Sequence, residues 1–155
     1  VRVSDQDNGN ESSALVGLEC LKAIQTVLVS IRKKTEALVP VIHVLLPMIA
    51  RSLSPNYLEY FEDILKVVTF MTYFTESIPN EVFQLIPIYL QNVETWAQDY
   101  LPHMLPSLDN LVSKSKDFFL AGPFAEMYYK MALRAFTAKT SESVQLSACE
   151  LLECV

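Results

Sequence analysis

The chain repeats its own pattern at an offset of 40 residues, and that period constrains the fold more than any single residue does. Leu18, Glu19, Leu21, Ile24, Val27, Leu28 and Ile31 align with Leu58, Glu59, Phe61, Ile64, Val67, Val68 and Met71. One further period on stand Asp99, Leu101, Met104, Leu108 and Leu111. A second line of the same offset joins Val44-Leu45-Leu46-Pro47-Met48-Ile49 to Gln84-Leu85-Ile86-Pro87-Ile88-Tyr89. The repeat lies in pattern, not identity. Each period therefore holds two helical segments, one apolar at i, i+3, i+6 and i+10 and one carrying an internal proline.

A paired-helix unit of about 40 residues is the mark of HEAT or armadillo arrays, in which neighbouring pairs bury a continuous core. The expected fold is thus all-α, an α-α superhelix of about three antiparallel helix pairs. Such arrays bind macromolecules on long surfaces, which moves the search for function from a pocket to a face. Composition agrees. With 51% hydrophobic residues, only 3 glycines and no strand-like alternation, a β-rich fold is disfavoured.

Start and stop signals divide the chain. Residues 1–11, with Asp5, Asp7, Gly9 and Glu11 and no apolar period, read as an acidic flexible segment. Helix pairs are expected over 12–53, 55–93 and 96–138, with the first helix of a truncated repeat over 141–155. Ser54-Pro55 supplies an N-cap followed by proline at the first helical position. In the helix after it, Glu59, Glu62, Asp63, Lys66 and Thr69 share an arc of about 120°, and the remainder is apolar. That width suits a helix buried on three sides. Pro47, Pro87 and Pro106 fall within helical segments, where a lost backbone donor predicts bends, and a bend recurring at one phase would set superhelical curvature.

Charge and cysteine usage exclude several functions. A net charge of -6 opposes phosphate backbones, so no direct nucleic-acid partner is expected, and basic proteins are the better electrostatic match. Three cysteines give no disulfide framework, which suits a reducing setting. Ala37 to Ala50 carries no charge but is too short for a bilayer, so no membrane insertion is expected. The polar, acidic Val1 to Ser13 does not have the basic-then-apolar order of a signal peptide.

Catalysis is not expected, and neither a metal nor any other cofactor. His43, between Ile42 and Val44, reads as a core or groove histidine. His103 shares an i, i+4 line with Asp99 and Ser107, yet a nucleophile needs partners converging from separate elements. The candidate binding residues lie on the helix of the second period. Glu59, Glu62 and Asp63 form a carboxylate face for a basic partner. Phe70 and Tyr73 fall in or beside the polar arc and either pack under a neighbour or form an apolar pocket. Trp96 is expected to anchor a turn. Leu146, Cys149, Leu152 and Val155 form an apolar face with no polar closure, from which self-association is expected.

Three stretches in order carry a family resemblance: Tyr57-Leu58-Glu59-Tyr60-Phe61-Glu62-Asp63-Ile64-Leu65, then Val82-Phe83-Gln84-Leu85-Ile86-Pro87, then Asp99-Tyr100-Leu101-Pro102-His103-Met104-Leu105-Pro106-Ser107-Leu108-Asp109-Asn110. The chain resembles importin-beta (karyopherin) nuclear transport receptors, and within them the importin seven and importin eight branch. Phe83 stands where that family places tryptophan, and Pro102 is an added proline. The resemblance implies a segment of the later HEAT repeats of a receptor that carries protein cargo through nuclear pores. It further implies binding of phenylalanine-glycine nucleoporins, control by Ran-GTP through the full-length receptor, and residence in cytoplasm, nucleus and nuclear pore. First helices of each pair would then form the outer, convex layer and second helices the concave one. The alternative function is a HEAT-repeat scaffold or adaptor for an enzyme complex.

Overall fold

The structure, a computed structural model, describes the backbone of residues 4–154 and the side chains of residues 15–34 and 36–154. Eight α-helices follow one another: α1 (Ser4–Ile31), α2 (Thr35–Ser52), α3 (Phe61–Phe74), α4 (Leu85–Thr95), α5 (Leu101–Lys114), α6 (Lys116–Ala121), α7 (Phe124–Thr137) and α8 (Glu142–Glu153). Tight 3-10 turns, Pro55–Tyr60, Asn80–Gln84 and Gln98–Tyr100, lead into α3, α4 and α5. No strand occurs among the described residues.

The helices form two layers in a row. In the first layer α1 packs on α3, α3 on α5 and α5 on α8. In the second, α4 packs on α7, and α2 closes against α3. These are the first and second helices of the expected pairs, so the all-α paired-helix architecture read from the period is present. The core is a seam between the layers, carried by Leu28, Ile42, Phe61, Val68, Phe83, Tyr89, Leu108, Tyr128, Met131 and Leu151, all buried. In α3 the buried set Phe61, Ile64, Leu65, Val67, Val68, Met71 and Thr72 shows why its apolar arc is wide: α1, α2 and α5 all cover it.

The period also appears in the polar contacts. Asn92 Nδ2 donates to the Leu53 carbonyl at 3.0 Å across 39 residues, satisfying an orphan acceptor just past the end of α2. Asn110 Nδ2 donates to Thr72 Oγ1 at 3.1 Å across 38 residues. Lys114 Nζ donates to the Thr72 carbonyl at 2.9 Å across 42 residues, to that of Thr75 at 2.8 Å, and to that of Tyr73. Its ammonium thus occupies the negative end of α3, where a cation is favoured. Trp96 is the expected anchor: its Nε1 donates to Asn92 Oδ1 at 3.2 Å, and its ring meets Phe61 edge-on at 4.7 Å. Gly17 allows a close approach, since a Cβ there would lie 2.9 Å from the Tyr60 ring.

Three features differ from the sequence reading. Helix α1 begins at Ser4, not near Ser12, and takes in most of the stretch expected to be an acidic loop. A lone glycine such as Gly9 costs a helix only about 1 kcal/mol, so the residue types of this stretch do not bar one. Residues 1–3 lie outside the described residues. The expected linker after α5 contains α6, whose Phe119 is buried. Pro47 and Pro87 do not share a role: Pro47 is inside α2, as are Pro40 and, in α5, Pro106. Pro87 is instead the third residue of α4, where its missing donor would be unused, and the Phe83 carbonyl accepts from the Leu85 amide. Of the two places expected for His43, core or groove, the structure has the groove: its side chain is half exposed beside Leu46, Pro47, Glu81 and Gln84.

Candidate functional site

All five candidate residues lie on α3 or the turn before it, in the first-helix layer. Glu59 and Glu62 are exposed. Glu59 also acts on its neighbour: burial and a hydrogen bond to the Glu59 carboxylate raise the Tyr60 phenol above its usual value. Asp63 is half-buried, and its Oδ1 accepts from Gln25 Nε2 of α1 at 3.3 Å, so it is less free to meet a partner than Glu62.

Glu62 and Asp63 form one wall of a groove of about 410 Å³ between α3 and α5. Lys66 and Thr69 continue that wall, and Pro102, His103 and Pro106 make the other. His103 Nε2 lies 3.9 Å from Glu62 Oε1, with both side chains at least half exposed. The slot offers two carboxylates beside one ammonium and an imidazole, and suits hydrogen-bonding or cationic groups on a partner. The α5 wall is a part of the site that reading α3 alone missed. The period points to it, because Pro102 and Pro106 stand 40 residues after Glu62 and Lys66.

Phe70 and Tyr73 do not share a pocket. Phe70 is half-buried and lines a groove of about 370 Å³ between α1 and α3, with Lys22, Gln25, Thr26, Val29, Ser30 and Lys66. Tyr73 is 63% exposed and turns toward α5, where Lys114 Nζ lies 5.5 Å from its ring centroid. Phe74 joins the two, at 5.5 Å from Phe70 and 5.4 Å from Tyr73 between ring centroids. Phe70 thus packs and borders a groove, whereas Tyr73 is an exposed aromatic beside a cation.

The Asp99, His103 and Ser107 line does not assemble. Ser107 is fully buried, donates to the Met104 carbonyl at 2.8 Å and meets Tyr89 Oη at 3.3 Å, while His103 faces the solvent groove. Among the described residues no group of three His, Cys, Asp or Glu side chains is placed to hold a metal ion. None of the described helices is long and apolar enough to cross a membrane.

No protein-family model matches the chain, and no solved structure matches it. Curated proteins do. The importin beta-like SAD2 homolog of Arabidopsis thaliana is 31% identical over 123 residues, which covers 77% of this chain and 12% of that protein. The probable importin-7 homolog of Dictyostelium discoideum is 24% identical over 134 residues, or 84% of this chain and 13% of its own length. Importin-8 of Mus musculus is 24% identical over 153 residues, or 98% of this chain and 15% of its own length. The chain therefore spans a small part of the length of the relatives it matches. Over that segment, with its row of paired helices, the chain belongs to the importin-beta family of nuclear transport receptors.

Proposed function

We propose that this chain is a protein-binding segment of a nuclear import receptor, one that carries protein cargo through the nuclear pore under Ran-GTP control. The observation that carries this reading is the coincidence of two facts: a two-layer row of helix pairs, and a match to importins over most of the chain. The layer α1, α3, α5 and α8 is the outer, convex face and α2, α4 and α7 the concave one. Ran-GTP acts through the full-length receptor, which moves between cytoplasm and nucleus. Phenylalanine side chains of nucleoporins seat against the outer layer, with Phe70 lining the α1–α3 groove and Tyr73 beside α5. Glu59, Glu62 and Asp63 draw basic protein segments to the same layer, the α3–α5 slot giving them two carboxylates.

The test is a pull-down with the full-length parent against Ran-GTP, a phenylalanine-glycine peptide and a basic cargo. Binding of the first two, with cargo displaced by Ran-GTP, is the expected result; binding of none of them sinks the transport reading. Within the segment, reversing Glu59 and Glu62 to lysine should weaken basic-cargo binding at low salt and make little difference near 1 M, where screening acts within about 3 Å. Replacing Phe70 and Tyr73 with serine should weaken the nucleoporin peptide. Unchanged affinity in either variant returns those residues to an ordinary solvated face.

A further inference from the structure

The groove between α1 and α3 carries charge opposite to that of the chain, whose net charge is -6. Lys22 of α1 and Lys66 of α3 bound its volume of about 370 Å³, Thr26 and Ser30 supply hydroxyls, and Val29 and Phe70 are its apolar part. Among the described residues no acidic side chain lines it. Two carboxylates stand at its edge. Asp63 Oδ1 is held by Gln25 Nε2 at 3.3 Å, and Glu19 Oε1 lies 2.7 Å from Lys22 Nζ. Both members of that second pair are more than half exposed, so the pair is weak and a carboxylate from a partner can take the place of Glu19. Lys66 is freer still: it stands exposed in the middle of α3 and makes no ion pair among the described residues. Beyond Ser30 the chain continues into exposed Arg32, Lys33 and Lys34, and Arg32 Nη1 donates to the Val29 carbonyl at 2.6 Å, which keeps a third cation beside a lining residue.

We infer that this groove binds an acidic peptide segment of a protein partner, laid along α1 and α3 with its carboxylates on Lys22 and Lys66 and an apolar side chain on Phe70. From Lys22 to Ser30 the helix rises about 12 Å, a span that about four extended residues cover. Charge complementarity selects the occupant. Lysines that line a groove with no lining acid attract carboxylates locally, whereas the net charge of -6 repels a long polyanion such as nucleic acid. Val29 and Phe70 add an apolar contact that a bare inorganic anion does not use. One helix further along, the α3–α5 slot has the opposite character, with Glu62 and Asp63 in its wall, and Lys66 stands on the crest that both share. Successive grooves of this layer therefore sort peptide segments by charge. The inference rests on the charge and shape of the groove and does not depend on the transport reading.

Fluorescence anisotropy on the whole chain reads the outcome, with a labelled peptide of acidic residues around one phenylalanine as the probe. Binding should be tightest at low salt and fall steeply toward about 1 M, where screening acts within about 3 Å. K22E and K66E should each weaken it about fivefold at about 0.1 M salt without lowering the melting temperature. R51E, at an exposed cation on α2, should leave the affinity within about twofold. Equal affinity for the same peptide with glutamine at every acidic position overturns the inference and leaves the nucleoporin reading standing, because the phenylalanine is retained. It is also overturned by no binding at millimolar peptide, by affinity that K22E and K66E leave unchanged or that R51E lowers as much, and by tighter binding of a single-stranded oligonucleotide of equal charge.

Discussion

Lys114→Met tests the most concentrated polar contact in the fold. The ammonium donates to the carbonyls of Thr72, Tyr73 and Thr75, which belong to the last turn of α3 and the residue beyond it. Without Lys114 these acceptors depend on water in a part-buried site. Burial holds the Lys114 amine below the ordinary lysine value, with Glu76 acting in the opposite direction, so the contact already offsets a desolvation cost. Methionine keeps most of the stem and removes the charge and all three donors. A hydrogen bond to a charged group contributes about 1.5–3 kcal/mol, and three bonds sharing one ammonium are not additive, so the net loss should be about 2–3 kcal/mol. The lost cation over Tyr73 adds up to about 1 kcal/mol. For a chain of this size 1 kcal/mol moves the midpoint by about 2–4 °C, so calorimetry should show a fall of about 5–10 °C. The control is the exposed Lys116→Met, which should change the midpoint by less than about 1 °C. If Lys114→Met melts together with that control, the carbonyls are satisfied by other means and the capping argument fails.

Stability should fall in alkali. Burial raises the phenols of Tyr89 and Tyr128 well above the ordinary value of 10.0, so above about pH 10 the unfolded state binds fewer protons than the folded one. Their contribution is complete below pH 10 and is lost as pH rises through the folded values; a urea midpoint that stays flat from pH 9 to 11.5 contradicts this. Thiol alkylation should separate the cysteines: burial and the neighbouring Asp109 raise Cys154 to about 11, whereas Cys20 and Cys149 are exposed. Mass spectrometry at pH 8 should find Cys154 modified last. Gly122→Ala places a Cβ 2.5 Å from the Phe124 ring, which is packed between Phe83, Phe118 and Phe119, so an overpacking loss of about 1–3 kcal/mol is expected in denaturant melts.

Helix pairing was legible because burial leaves a period: Leu21, Ile24 and Leu28 return as Phe61, Ile64 and Val68, and the same helices then stack in space. Trp96 was legible as an anchor for a similar reason, since a large aromatic at a helix end needs a neighbour to cover it. Contacts that depend on how two helices end beside each other were not legible. Lys114 reads as a last-turn lysine of α5, and only the placement of α3 turns it into a cap for another helix. Phe70 and Tyr73, three apart on α3, look like one aromatic pair, yet adjacent helices on either side pull them into separate surroundings. Pro87 misled because a proline inside an apolar run signals a kink only if the helix is already under way. Here a 3-10 turn precedes it and α4 starts two residues before.

Hydrogen exchange on Leu151→Ala tests the row most directly. Leu151 is fully buried in α8 against α5 and α7, and truncating such a leucine costs about 2–5 kcal/mol. In a stack held by nearest neighbours the slowest amides of α7 and α8 should lose protection, while those of α1, three steps away along the first layer, and of α2, which packs on α3, keep theirs. An equal loss of protection in all of these helices would mean a single closed unit and would contradict the account.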